Sequence, residues 1–307
     1  MAAIASWGGI DVRRLILAAV LAFGGTAATA ATLPWTDLVV FGDSLSDAGN
    51  LGVATNGEVW AERHGAMPST AGGLNYAFGG ARAVSTDAAV GPAPGVDVPD
   101  FAEQRALFAA AGETLGNDPL VVAWFGGNDL LNAGGNAAVI GQAVQAIGAG
   151  VSELATRFGL RRFILPNLPD LSRIPANANE PAPVRIAAQQ ATLGFNGGLE
   201  TLATTLGLGG LDVRVFDTAA LFADILADPA AFGFDATLDL TEATCLRGQI
   251  DCAGYLFWDP IHPTAAAHAL IADGIAELAA IPLPATIWLL AGGLGAVVAV
   301  GRRRKAA

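Results

Sequence analysis

Short apolar runs and longer stretches of helical spacing alternate through the middle of this chain. Leu38-Val39-Val40-Phe41, Leu120 to Phe125, Phe163-Ile164-Leu165 and Val213 to Phe216 are apolar segments of strand length. Strands covered on both faces of a parallel sheet take this form. Asn136 to Phe158, Val184 to Leu206, Thr218 to Leu226 and Thr264 to Leu278 carry apolar residues at helical spacing. Strands alternating with helices predict βαβ crossovers and a three-layer αβα sandwich around a mostly parallel sheet. Ligands bind outside the carboxyl ends of such strands, so polar residues directly after a strand mark where chemistry is expected.

Two polar clusters follow strands, Gly42 to Asn50 and Gly126 to Asp129; a third, Asn75 to Ala81, follows an apolar turn, and a fourth, Trp258 to Thr264, precedes the last helix. Acyl transfer needs a nucleophile, a base, a group that orients the base, and donors aimed at the developing oxyanion. Ser44 follows the first strand, in what reads as a strand-to-helix turn whose amide would lie at the positive end of a helix. His262 is the candidate base, held between Pro260 and Pro263. Asp259, three residues earlier, is placed to take the imidazole Nδ1–H. Gly80 allows close backbone approach because it has no Cβ, and Asn128 offers a neutral side-chain amide. Asp43 reads as a buttress of the Ser44 turn, and Asp47 and Asn50 as side chains that hold neighbouring backbone amides. No Gly-x-Ser-x-Gly elbow occurs, and an Asp only three residues before the His argues against an α/β-hydrolase order.

These motifs resemble the GDSL/SGNH hydrolase family, in the order that family has them, over about Asp37 to Ala280. Gly42-Asp43-Ser44-Leu45-Ser46 is similar to its first block, Gly80 to the glycine of its second, Gly127-Asn128-Asp129 to its third, and Asp259-x-x-His262 to its last. The resemblance implies a flavodoxin-like αβα fold and a serine ester hydrolase needing no metal or organic cofactor. Ser44, Asp259 and His262 would be catalytic, and Ser44, Gly80 and Asn128 would form the oxyanion hole. The adjacent pair Gly79-Gly80 leaves open which amide is used. The run Tyr255 to Asp259 leading into Ile261 to Thr264 is closest to the lipase and phospholipase branch. The expected substrate is an ester of a lipid, small molecule or glycan. Deacetylation of an extracellular polysaccharide and a non-catalytic surface module on the same fold are the alternatives.

Composition changes the picture at the two ends. Of 307 residues, 53% are hydrophobic and only 14% charged, with a net charge of −12. That balance excludes disorder and makes a nucleic-acid partner implausible, since such affinity comes from clustered Lys and Arg. Arg13-Arg14, the apolar run Leu15 to Gly25 and Ala28-Thr29-Ala30 have the form of a secretory signal peptide over residues 1–30, cut after Ala30. The other end has Pro282-Leu283-Pro284-Ala285, seventeen uncharged residues from Ala285 to Gly301, and Arg302-Arg303-Arg304-Lys305. The uncharged run is just long enough to span a membrane, with the basic cluster on the cytoplasmic side. This order resembles the PEP-CTERM class of sorting signals, which implies an exosortase partner at residues 282–285, a membrane anchor at least before processing, and a periplasmic, surface or secreted location. Residues 31–280 are then the catalytic domain, left with 10 basic and 27 acidic residues, a net of −17.

Cys245 and Cys252 close a short loop, and in an exported protein a disulfide is the leading reading ahead of a metal pair or two thiols. His262 and His268, six apart, would point about 240° apart on a helix and do not form a metal pair. His268 reads as a helix-face residue, His64 as surface or substrate rim, and Trp124 and Trp258 as core.

Overall fold

The computed structural model describes residues 33–85, 98–131, 133, 136–246 and 251–281. The leader at 1–30, the Pro282–Ala285 motif, the apolar run and the basic cluster lie outside the described residues.

Four strands form one parallel sheet in the order β1 (Leu38–Gly42), β2 (Leu120–Trp124), β3 (Arg162–Pro166), β4 (Asp212–Phe216). β1 and β2 are in register, Leu38 to Leu120 through Gly42 to Trp124, so their carboxyl ends finish level. Beyond β1 the chain at Leu74–Phe78 continues the ladder: Val40 N–H donates to Leu74 C=O, Tyr76 N–H to Val40 C=O and Phe78 N–H to Gly42 C=O. That segment therefore takes the place of an edge strand. The chain leaves β1 toward one side of the sheet and returns as β2 on the other, and a crevice opens between the two strand ends.

The helices are α1 (Phe101–Ala111), α2 (Gly127–Leu131), α3 (Ala137–Phe158), α4 (Ala182–Leu208), α5 (Thr218–Ala227) and α6 (Ala265–Ala280). Phe41 packs on Phe101 and Phe108 of α1, and α1, α3 and α4 pack together on that face. Phe216 points the other way, against Gly274 of α6. Alternate strand residues thus feed two covers, giving helix, sheet and helix layers over one continuous core. β1 and β2 are buried along their whole length, as continuous apolar runs require.

Three elements depart from the pattern-based reading. β4 is half-buried throughout, because it is the edge strand. Its Arg214 reaches sideways to Asp212 and caps α6 by donating to the carbonyls of Leu278 and Ile281. No helix follows β1; the chain makes a turn at Ser44–Ser46 and continues as loop. Helix α1 was not foreseen, because Gln104 interrupts its buried stripe between Phe101 and Phe108. That Gln is buried because its side chain receives the Gly42 N–H and donates to the Gly42 C=O, acting as a strand neighbour for the last residue of β1.

The turn from β2 into α2 depends on Gly126, whose φ is +112°. A Cβ there would lie 2.3 Å from the buried ring of Phe195. Gly126→Ala adds both a left-handed strain and an overlap in the core, each worth about 1 to 3 kcal/mol. We expect a loss of about 3 kcal/mol in denaturant unfolding and a thermal midpoint lower by roughly 10 °C. Unchanged stability would contradict this packing.

Candidate active site

The turn after β1 is held by backbone and carboxylate together. Ser46 and Asp47 N–H donate to the Asp43 C=O, and Leu45 N–H to Asp43 Oδ1. Ser44 stands at the apex, and no hydrogen bond to its own N–H occurs among the described residues. The helix-terminus role foreseen for that amide does not apply, since the segment is a single turn. Asp47, fully buried, binds the loop beyond: Oδ1 accepts from Gly49 and Asn50 N–H and Oδ2 from Leu51 and Gly79 N–H. The Asn50 amide donates to the carbonyls of Asn75 and Ala77 and closes the same loop from the other side.

The opposite wall arrives from the far end of the chain. His262 Nε2 lies 2.8 Å from Ser44 Oγ, and its Nδ1 lies 2.6 Å from Asp259 Oδ2. The other Asp259 oxygen accepts the N–H groups of Ile261 and His262, which fixes the carboxylate relative to the ring. The His262 carbonyl accepts from Trp258 N–H. Thr264 caps α6 directly behind, receiving Ala267 N–H and donating to the Tyr255 carbonyl. Burial works to raise the Asp259 carboxyl, but the His262 ring and the two backbone donors outweigh it and hold the group below its ordinary value.

Gly79 and Gly80 differ. Gly79 N–H is taken by Asp47, whereas no hydrogen bond to the Gly80 N–H occurs among the described residues. Gly80 has φ +88°, which glycine adopts without strain. A Cβ at Gly79 would lie 3.8 Å from that of Ser44, so this pair flanks the serine. Asn128, in the first turn of α2, donates to the Ala81 carbonyl at 3.0 Å and to Asp43 at 3.4 Å. Next to it Asp129 is buried, and its carboxylate receives Ala83 and Val84 N–H. Burial raises Asp129 above the ordinary carboxylate range.

Ser44, Asn128 and His262 line one open cleft walled by apolar side chains including Leu131, Leu168, Ile174 and Phe222. Trp124 and Thr218 also line it, and no hydrogen-bond partner for their buried Nε1 and Oγ1 atoms occurs among the described residues. Such an arrangement can pass a proton from a hydroxyl to an imidazole.

A family model described as GDSL-like lipase/acylhydrolase matches residues 38–275. The chain belongs to that family. It is an ester-bond hydrolase of the esterase and lipase kind. Among curated relatives, a phosphatidylcholine-sterol acyltransferase of Aeromonas hydrophila is 26% identical over 77% of this chain and 88% of its own length. A thermolabile hemolysin of Vibrio parahaemolyticus is also 26% identical, over 78% of this chain and 63% of that protein. A crystal structure of a lipolytic G-D-S-L protein from Veillonella parvula aligns with a TM-score of 0.44 at 16% identity, covering 78% of this chain and 96% of that one.

Other residues singled out in this GDSL hydrolase take different places. Cys245 and Cys252 are disulfide-bonded, their Cα atoms 5.2 Å apart. His268 is fully buried on the inner face of α6, its Nδ1 receiving Trp60 N–H at 3.4 Å, and burial pushes its pKa down to about 3. His64 is no substrate rim: its Nε2 meets the Ala272 carbonyl and its ring packs edge-on to Trp35. Trp124 is core and cleft wall at once, and Trp258 is half-buried. Among the described residues no group of His, Cys, Asp or Glu side chains is arranged to hold a metal. Gln104, unforeseen, pins the strand end that carries Ser44; an uncharged polar residue inside an apolar stripe was its signal.

Asp43 generates a pH prediction. Burial raises its pKa to about 7 from an ordinary 3.8. A carboxyl raised on folding favours the native state while protonated, so its contribution is complete below 3.8 and is lost as pH rises through about 7. Asp43→Asn keeps an oxygen for Leu45 N–H and removes the titration. Unfolding in denaturant at pH 5 and pH 8 should show the parent losing about 2 to 3 kcal/mol more than the variant across that interval. Equal pH dependence would refute the assignment.

Proposed function

We propose that this chain is an exported serine carboxylic-ester hydrolase of the lipase and esterase type, with Ser44 as nucleophile, His262 as general base and Asp259 as the group that orients and charges the imidazole. The observation carrying the proposal is the unbroken run from Ser44 Oγ through His262 to Asp259, with links of 2.8 and 2.6 Å, opening into an apolar cleft. Ser44 Oγ attacks the ester carbonyl as its proton passes to His262 Nε2, and the carbonyl oxygen becomes the oxyanion. The N–H groups of Ser44 and Gly80 and the Asn128 side chain receive that charge. Collapse breaks the bond to the alcohol, which leaves with the proton from His262. Water repeats the sequence on the acyl-serine and releases the acid.

The choice of Gly80 rests on Gly79 N–H already being bound by Asp47. The name of one curated relative, a phosphatidylcholine-sterol acyltransferase, supports a lipid-type acyl ester over an acetylated glycan. For location, the leader at 1–30 supports export, and Pro282–Ala285, the apolar run and Arg302–Lys305 support handling by an exosortase at the membrane.

Ser44→Ala should lower kcat on a nitrophenyl ester by about 10⁴-fold or more with circular dichroism and thermal midpoint retained, and Asn128→Ala by about 10²- to 10³-fold with circular dichroism retained. Retained turnover in the Ser44 variant would sink the assignment.

A further inference from the structure

Two surfaces adjoin the cleft and share wall residues with it, one apolar but for Asn177 and one that also carries Asp170 and Arg173. The first begins at Leu131 and Leu171, which line the cleft and also an open groove against the start of α4. Val184, Ala187, Ala188 and Ala191 form its wall. Their spacing of three, four and seven residues puts them on one stripe of the helix, about 10 Å long at 1.5 Å per residue. Val184 is 46% exposed and Leu131 is 38% exposed, so this apolar face is open to solvent. The second surface leaves by Ile174, Phe222 and Phe257 toward α5.

The chemistry tells the two apart. The departing alcohol must lie beside His262 Nε2, because that nitrogen protonates it, and the acyl chain must lie on the far side of the carbonyl carbon. Phe257 is next to the His262 segment, through its bridge to Pro263. Leu131 is one turn along α2 from Asn128, on the oxyanion side. We infer that the groove from Leu131 and Leu171 to Val184 and Ala188 binds the acyl chain, which makes the protein an enzyme for medium- to long-chain fatty acyl esters. The inference rests on the assignment of Ser44 and His262 made above. Its occupant is argued from continuity: the groove shares Leu131 and Leu171 with the site, and apart from Asn177 its wall is apolar, so it suits a hydrocarbon chain that an acetyl group lacks.

Each methylene moved from water into such a groove is worth about fourfold in binding. The wild-type full-length protein should therefore favour nitrophenyl octanoate over nitrophenyl acetate in kcat/KM by at least tenfold. Val184→Asp places a charge on the groove wall while adding an acid to the first turn of α4, where it favours the helix. Ala188→Phe fills the groove with a ring. Each variant should lower the octanoate-to-acetate ratio by about tenfold or more, with the acetyl ester as internal reference. Unchanged ratios in both variants, or a wild type with no chain-length preference, would overturn the acyl-groove assignment while leaving Ser44 as nucleophile. Ser44→Ala hydrolysing both esters at the wild-type rate would overturn both.

Discussion

The arrangement of the site depends on one carboxylate that touches no reacting atom. Asp47 is fully buried, and its charge is met by four peptide N–H groups, those of Gly49, Asn50, Leu51 and Gly79. A buried anion is tolerable only when its lone pairs are occupied in this way. The loop after Ser44 and the loop of Gly79 and Gly80 are non-regular chain, with no ladder of their own. Asp47 ties one to the other, and Asn50 and Asn75 complete the tie through backbone carbonyls of both segments. The distance between the serine and the second glycine is thus set jointly by the ladder that ends at Phe78 and Gly42 and by the Asp47 side chain beyond it.

The sheet sets the other dimension. β1 and β2 end level, so Ser44 and Asn128 emerge side by side, and Gln104 secures the last peptide of β1 where ordinary strand pairing stops. Asp43 and Asp129 sit immediately behind, both buried and both with their pKa raised. Burial of Asp43, with an Asn128 amide hydrogen and Leu45 N–H on it, connects the serine turn to α2 without a cation. The result is a rim that is rigid at its polar base and apolar at its mouth.

Much of this was legible in the chain. Four apolar runs became the four strands, and two of the polar clusters that meet around Ser44 directly follow strands, because burial on both faces leaves a continuous apolar run and strand-end chemistry leaves a polar one. What was not legible has nonlocal causes. The edge position of β4 depends on what lies beside it, and Asp212 and Arg214 were its faint sign. Gln104 was hidden because its partner is 62 residues away. The choice between Gly79 and Gly80 required knowing that Asp47 had taken one amide. His268 looked like an ordinary helix residue until α6 was seen to turn it inward beneath Trp60.

The link between Ser44 and His262 joins residues 218 positions apart. Closing so long a loop costs entropy that only a completed sheet and a docked α6 can offset. Ser44 therefore meets His262 only after the chain has been made past His262. A nascent chain carries the serine without the histidine that contacts it. That order of assembly keeps the two apart until the far end of the domain has been made.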